Sequence, residues 1–195
     1  MFNMKVFLSI LILIFYFQSW CKADDIRDFE IEGISIGDSA LDFFSINHIK
    51  KNTMDFFKSK KFTPVQNDQL SFFTTYDAVD FVYRTNDKEY IIHELAGVLY
   101  YKNNIQDCYA KLSEIEKEMD KLFPFTKKFP RRTFKHSNDP SQKSLVTDIE
   151  YVFKNEDSVQ LACYDYSEEH GSQDHLAVAL ATKEIYDFYI NEAYK

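Results

Sequence analysis

The chain has 195 residues, with 23 Lys and Arg against 31 Asp and Glu, so its formal net charge at pH 7 is −8. This length suits one domain with its own hydrophobic core. A chain this acidic does not attract nucleic acid through its overall field, which excludes nucleic acid as the expected partner.

The first 23 residues have the pattern of a targeting segment. Lys5 gives a positively charged start, residues 6–17 form an apolar run, and Cys21-Lys22-Ala23 offers a cleavage site with small residues at its first and third positions. The run is shorter than the roughly 18 residues that a membrane-spanning helix needs. We therefore predict a cleaved signal peptide over residues 1–23 and one domain over residues 24–195.

This prediction places the protein in the periplasm or outside the cell, with an uncleaved N-terminal membrane anchor as the alternative. Lipid modification of Cys21 is disfavoured because Trp20 stands where a lipidation motif needs a small residue. Without residues 1–23 the chain keeps 21 basic residues against 31 acidic ones, a net charge of −10. Cys108 and Cys163 also remain, and an even cysteine count in an oxidising compartment predicts a disulfide between them.

The opening residues predict a strand, a tight turn and a capped helix. Ile34 and Ile36 alternate with polar neighbours, as in a short half-buried strand. Gly37 then permits a turn, and Asp38 or Ser39 is placed to cap the next helical turn. Ser45 is predicted to cap a second one.

The middle of the chain predicts three further strands. Residues 50–61 are basic and weakly helical and end before Pro64. Residues 70–76, 78–85 and 90–101 then have extended patterns, and the second alternates as on a sheet with one face in water. Gly97 predicts a bulge or the close approach of another group.

Residues 105–123 form the clearest predicted helix. Its apolar residues are spaced by three and four and form one stripe, namely Ile105, Cys108, Leu112, Ile115, Met119 and Leu122. Pro124 ends the helix. Cys108 lies on the stripe that faces the core.

Residues 124–143 contain three prolines and six basic residues against one acid, Asp139. We predict a long surface connection here. A solvated loop is the simpler interpretation of its charge. The alternative is binding to an anionic surface, such as lipid headgroups, anionic polysaccharide or an acidic partner, through Lys127, Lys128, Arg131, Arg132 and Lys135.

Three more strands are predicted over residues 145–153, 159–163 and 176–181, followed by a closing helix capped by Thr182. Short turns between successive strands favour antiparallel pairing. We therefore predict an α+β domain. It has an antiparallel sheet of about five or six strands, one long helix packed across it and a short C-terminal helix.

Ser39 is the sharpest catalytic candidate, because Gly37-Asp38-Ser39 resembles the first block of the GDS-type (SGNH) esterases. A nucleophilic serine needs a base, which that family takes from a late Asp-x-x-His. Here Ser167 and Ser172 stand three residues before His170 and His175, so this block is absent. A Gly-x-Asn oxyanion block is also missing, and a capped turn remains the simpler interpretation.

Metal binding is the second candidate. Asp165, His170, Asp174 and His175 are the potential ligands, together with Glu168 and Glu169. Their spacing matches no established motif, and an acidic loop between strands is usually solvated. The tyrosines at 100–101, 164 and 166 are a third candidate, as an aromatic binding face or as ordinary strand residues. We expect no cofactor.

Three stretches of the chain carry a resemblance to a known group. They are Ile-Glu-Gly-Ile-Ser-Ile-Gly-Asp-Ser-Ala-Leu-Asp-Phe-Phe at residues 31–44, Cys-Tyr-Asp-Tyr-Ser at 163–167 and Asp-His-Leu-Ala-Val at 174–178. Together they resemble small uncharacterised secreted proteins of marine, AT-rich alphaproteobacteria. The turn at residues 33–39 has a fainter likeness to periplasmic assembly or inhibitor-like modules. Neither resemblance implies an activity.

The expected function is a non-catalytic, exported protein that binds a ligand or associates with the cell envelope. A secreted serine esterase using Ser39 is the alternative from a different class, and a metal-binding loop at 165–175 is another.

Overall fold

A computed structural model describes residues 25–195, apart from residues 69, 103 and 138. The predicted signal peptide over residues 1–23 lies outside the described residues. The seven strands of the described chain are β1 (Phe62–Asp68), β2 (Ala78–Arg84), β3 (Ile92–Tyr100), β4 (Lys127–Lys135), β5 (Leu145–Val152), β6 (Ser158–Asp165) and β7 (His175–Ala181). The α-helices are α1 (Ile46–Lys51), α2 (Ile105–Leu122) and α3 (Lys183–Asn191), and short 3-10 turns lie at Ile26–Asp28 and Ala40–Asp42.

The strands form a single antiparallel sheet in the order β1-β2-β3-β7-β6-β5-β4. Two meanders build it, β1 to β3 and β4 to β7, and α2 connects them. The last strand of each meander meets the other at the β3–β7 pair, in the middle of the sheet. The predicted α+β class with an antiparallel sheet is therefore confirmed, although the described sheet has more strands than the five or six predicted.

Helix α2 packs on one face of the sheet, as its apolar stripe predicts. Cys108 and Leu112 are fully buried, and Cys108 forms a disulfide with Cys163 on β6, with their Cα atoms 6.1 Å apart. This face carries the main core, which includes Val79, Phe81, Leu95, Leu161, Cys163, Leu176 and Val178 from the strands. The predicted helix and the predicted disulfide are both present.

The opening strand is a wrong prediction. Ile31 and Ile34 pair with each other across a turn whose two central residues, Glu32 and Gly33, have φ angles of 53° and 77°. Ile34 and Ile36 are buried because they point into the core from successive turns. Alternating burial in a folded-back segment thus produces the same period of two as a strand.

The carboxylate of Glu32 fixes this turn against the segment that precedes β2. It accepts backbone hydrogen bonds from Thr74, Thr75 and Tyr76 at 2.9, 2.6 and 2.8 Å. Residues 70–76, predicted as a strand, form irregular turns instead. Tyr76 lies over Gly97, where an added Cβ would be 2.6 Å from the ring, so the close approach predicted at Gly97 is confirmed.

The segment around Pro64 also differs from prediction. Helix α1 ends at Lys51, and Pro64 lies inside β1. Because β1 is at the edge of the sheet, its proline does not break a ladder on both sides. The capping prediction for Ser45 is confirmed, since its hydroxyl accepts a hydrogen bond from the backbone N–H of His48 at 3.2 Å.

The predicted surface connection at 124–143 contains the opposite edge strand, β4. It pairs with β5 through a register shift between Phe129 and Arg132, around Pro130. The residues of β4 are almost all exposed, so no apolar alternation marks the strand in the sequence. Lysines, arginines and a bulge are also typical devices that protect a sheet edge from further pairing.

Candidate functional site

The second face of the sheet is only partly covered, and the uncovered part forms a cleft. Helix α3 packs over one end, where Phe188 contacts Phe62 and Phe57 with ring centres 5.0 and 5.2 Å apart. Beyond this cluster the face is open, and the cleft above it has a volume of about 1230 Å³. The predicted cap at Thr182 is present and positions Ile185 and Phe188 inward.

The floor of the cleft is made of small side chains. In the register of the sheet, Asp80 pairs with Ala96, Ala96 with Ala179, and Ala179 with Gln160. In the next row Val98 pairs with Ala177. Short residues at the centre of the sheet leave room above it, while larger polar residues stand at the sides.

Two carboxyl groups lie at the α3 end of this floor. Asp80 is on β2, two residues before Val82, which pairs with Glu94 on β3. The carboxyl groups are therefore diagonal neighbours on one face, and such positions are about 7 Å apart between Cα atoms. Burial raises the pKa of each carboxyl to about 7.

Each of these carboxyl groups has one direct hydrogen-bond donor. The backbone N–H of Asn67 donates to Asp80 at 3.3 Å, and the hydroxyl of Tyr189 on α3 donates to Glu94. Among the described residues neither carboxyl group forms an ion pair. A carboxyl group with a pKa near neutrality can hold a cation when ionised or donate a proton when neutral.

A second acidic pair on the same face has a basic partner within the chain, Arg132. Asp148 is almost fully buried and accepts two hydrogen bonds from Arg132, at 2.8 and 3.0 Å, and one from Gln160 at 2.8 Å. Glu150 lies 4.0 Å from the same guanidinium group. Asp80 and Glu94, by contrast, have no such basic partner among the described residues.

The other end of the cleft is lined by stacked aromatic rings. Tyr164 stacks on His175 and Tyr166 on His170, each with ring centres 4.5 Å apart. His136 stands edge-on to Tyr166 at 5.3 Å. Three of the four tyrosines predicted to form an aromatic face, Tyr100, Tyr164 and Tyr166, line the cleft. Tyr101 does not, because it packs against the main core on the other face of the sheet.

Ser39 lies away from this cleft. Its hydroxyl donates to the carbonyl oxygen of Glu89 at 2.5 Å and accepts from the N–H of Leu41 at 3.3 Å, capping the 3-10 turn Ala40–Asp42. Both partners are backbone groups, and among the described residues no imidazole is hydrogen-bonded to this hydroxyl.

Substituting Ser39 with alanine is expected to lower the free energy of unfolding by about 1 kcal/mol, the usual cost of losing a cap. Denaturant unfolding of the variant and the wild type measures this loss. A fluorophosphonate probe supplies the catalytic test in the same samples. Labelling of the wild type that disappears in Ser39→Ala would contradict the capping role and support the esterase alternative.

The candidate metal ligands of the 165–175 segment point to different partners. Asp174 accepts the backbone N–H of Tyr166 at 2.8 Å, and the Nδ1 atom of His175 is 3.0 Å from the carbonyl oxygen of Gln173. Asp165 is the last residue of β6. Within the described part of the chain, no three His, Cys, Asp or Glu side chains converge in an arrangement suited to a metal ion.

The basic segment is largely neutralised by neighbouring acids. Lys128 forms ion pairs with Glu116 and Asp120 of α2 at 2.8 and 2.7 Å, and Arg131 pairs with Glu116 at 2.9 Å. Arg132 is held by Asp148. Lys127 lies over the ring of Phe129, and Lys135 is 3.4 Å from Gln142. The charge available to an external anion is therefore smaller than the sequence indicates.

Sequence reasoning missed Asp80 and Glu94. It predicted that residues 78–85 form a strand with one face in water, and Asp80 does lie on that face but is more enclosed than a solvated position. A usable signal was present, namely acidic residues and alanines alternating with large apolar residues on three strands. That signal becomes specific only when the strand order is known.

The fold and site thus define an α+β protein with an open, acidic and aromatic cleft on one face of its sheet. Comparisons of the chain with protein-family models, curated proteins and solved structures found no match. The resemblance to secreted alphaproteobacterial proteins therefore stays a prediction. No helix in the described residues is long and apolar enough to span a membrane.

Proposed function

We propose that this protein is an exported, non-catalytic binding protein that holds a small organic cation, an amine, in the cleft. The observation that carries this proposal is the pair Asp80 and Glu94. Both are enclosed by protein, both have a pKa raised to about 7, and neither has a basic partner among the described residues. A bound cation would offset the unfavourable burial of their negative charges.

The surrounding charge favours the same class of ligand. Asp68 and Asp77 also line the cleft, while Lys102 is the only lysine or arginine among its described lining residues. Asp68 and Glu94 both raise the pKa of Asp80 through electrostatic repulsion, after the larger effect of burial. A positively charged ligand reduces this repulsion, whereas an anion increases it.

Aromatic side chains supply a second element of recognition. Tyr189 and Tyr194 line the cleft beside Glu94, and Tyr164 and Tyr166 line its other end. An ammonium group is attracted to the face of an aromatic ring, by about 0.5–2 kcal/mol depending on exposure. The alanine floor between the two ends leaves space for an aliphatic chain.

Export is supported by the disulfide, which is typical of proteins in oxidising compartments. The signal peptide over residues 1–23 stays a prediction, and so does location in the periplasm or outside the cell. Association with an envelope component through the basic segment of β4 is less favoured, because Lys128, Arg131 and Arg132 already have acidic partners.

Isothermal titration of residues 24–195 with putrescine and spermidine, at several pH values, tests the proposal. A cation binds the ionised carboxylates, so affinity should rise as the pH increases from 6 to 8. As the pH is lowered below 7, the affinity should fall by up to about tenfold per pH unit for each proton that the ligand displaces. A neutral diol of the same length is the matched control and should not bind. Equal affinity for the diol, or no binding of either amine at any pH, would refute the proposal.

A further inference from the structure

Two buried nitrogen atoms at the aromatic end of the cleft have no hydrogen-bond partner. They are the Nδ1 atoms of His136 and His170, and they are the only buried side-chain nitrogen or oxygen atoms in this condition within the described residues. A buried polar atom left unsatisfied costs about 1–3 kcal/mol. That both fall on neighbouring rings indicates a shared partner from outside the chain.

The spacing of the two rings fits one shared metal ion. Their centres are 5.6 Å apart, with an angle of 76° between the ring planes. An imidazole nitrogen binds a transition ion at about 2.0 Å, which places the centres of two imidazoles on one ion roughly 5 to 6 Å apart. The separation of the two ring centres therefore matches that of two imidazoles that share one ion.

A hydrogen-bond network holds both histidines in place. The backbone N–H of His136 donates to the carbonyl oxygen of Ser144 at 2.9 Å, and that of His170 donates to Ser167 at 3.0 Å. The N–H of Ser167 in turn donates to the hydroxyl of Ser144 at 2.9 Å, which joins the loop after β4 to the loop after β6.

The buried carboxylate of Asp139 is the centre of this network. It accepts hydrogen bonds from the backbone N–H groups of Ser144 and Ser141, both at 2.8 Å, and from the hydroxyl of Ser141, also at 2.8 Å. These bonds, those of Ser144 first, hold the pKa of Asp139 well below its usual range. The carboxylate therefore stays ionised and keeps the two loops together at any physiological pH.

We propose that His136 and His170 form a two-imidazole site for a late first-row transition ion, with Cu²⁺ bound most strongly. Imidazole donors suit copper and zinc, and affinities of nitrogen sites peak at Cu²⁺ in the divalent series. No third His, Cys, Asp or Glu converges there among the described residues, so the two imidazoles are the only side chains of these types that the chain supplies to the ion. This pair keeps His170 from the ligand set predicted in the 165–175 segment and adds His136, which was not predicted.

The two histidines lie at the aromatic end of the cleft, and the two carboxyl groups lie at the other end. Tyr100, which pairs with His175, is six positions along β3 from Glu94, and an extended strand spans about 20 Å over that length. A Cu²⁺ titration without amine therefore tests the histidine pair alone, and its failure would be distinguishable from failure of the amine proposal.

Titration of tag-free protein, residues 24–195, with Cu²⁺ tests the inference by calorimetry and electron paramagnetic resonance. We expect one ion per chain, with hyperfine splitting from two nitrogens. His136→Ala and His170→Ala should each weaken binding by about tenfold or more, in line with the loss of a metal ligand. His93→Gln is the matched control, since His93 lies on β3 beside Glu184 and outside the cleft, and it should bind as the wild type does.

Near-UV circular dichroism checks that each variant is folded. If an alanine variant is not, His136→Gln and His170→Gln replace it, because glutamine keeps hydrogen-bonding groups but is a poor ligand for Cu²⁺. The inference is wrong if the wild type binds no Cu²⁺ at millimolar concentration. It is also wrong if the folded His136 and His170 variants bind one equivalent as tightly as the wild type.

Discussion

Replacing both Cys108 and Cys163 with alanine is expected to lower the free energy of unfolding by about 4 kcal/mol. The disulfide closes a loop of 55 residues and so restricts the unfolded chain, and the chain-entropy estimate for a loop of this length is about 4 kcal/mol. The bond also fixes α2 to β6 at the centre of the main core. Urea denaturation of residues 24–195 at pH 7 measures the loss.

The reduced wild type is the control for this experiment. Residues 24–195 contain no other cysteine, so reduction breaks the same bond while both cysteine side chains remain in the core. The reduced protein and the double variant should therefore agree to within about 1 kcal/mol. Two free thiols in the untreated, denatured protein, or a variant as stable as the oxidised wild type, would show that the disulfide does not stabilise the fold.

Replacing Glu94 with glutamine is expected to remove most of the loss of folding stability that the ionisation of Glu94 causes as the pH rises. The pKa of Glu94 is raised from its ordinary 4.5 to about 7, so the folded protein holds this proton more tightly than the unfolded chain does. Its contribution to stability therefore falls as the pH rises from about 4.5 to about 7 and is constant above that. The full difference is about 3 kcal/mol, from 1.4 kcal/mol per pKa unit.

Relative to the wild type, Glu94→Gln should accordingly gain stability between pH 4 and pH 8 by up to about 3 kcal/mol. Asp80→Asn should behave in the same way, because burial raises the pKa of Asp80 from 3.8 to about 7. Glutamine still accepts the hydrogen bond from Tyr189, so packing against α3 is retained. Denaturant unfolding across this pH range measures each difference.

The informative quantity is the difference in the free energy of unfolding between variant and wild type at each pH, since other carboxyl groups change the stability with pH in the opposite direction. Hydrogen bonds lower the pKa values of Glu32 and Asp139 relative to their ordinary values, so these groups contribute stability that is lost as the pH falls. Glu118→Gln, at an exposed position on α2, is the matched control and should show no such trend. A Glu94→Gln difference that stays constant from pH 4 to pH 8 would contradict the raised pKa.

The same variants test the binding proposal. Loss of one carboxylate removes a charge-assisted contact of about 1.5–3 kcal/mol, so each variant should bind spermidine at pH 8 roughly tenfold or more weakly than the wild type. Unchanged amine affinity in both variants would place the ligand elsewhere on the protein, even if the pH dependence of stability follows the prediction.

Local patterns in the sequence predicted the elements that are governed by local physics. The stripe of α2 has helical spacing because one side of that helix faces the core, and the caps at Ser45 and Thr182 satisfy N–H groups within a few residues. The same patterns misplaced the opening strand, since Ile34 and Ile36 alternate in burial for a tertiary reason. They also missed β4, because an edge strand exposed on both faces carries no alternation of polar and apolar residues.

The sequence by itself determined an acidic α+β domain with an antiparallel sheet, a long amphipathic helix and a disulfide from Cys108 to Cys163, since each of these follows from residue spacing and composition. Only the tertiary structure decided the cleft. Asp80 and Glu94 lie on neighbouring strands, and strand register places them together. His136 and His170 lie on two different loops, and hydrogen bonds between those loops bring them together. Their chemistry depends on the enclosure and the neighbours that this arrangement creates.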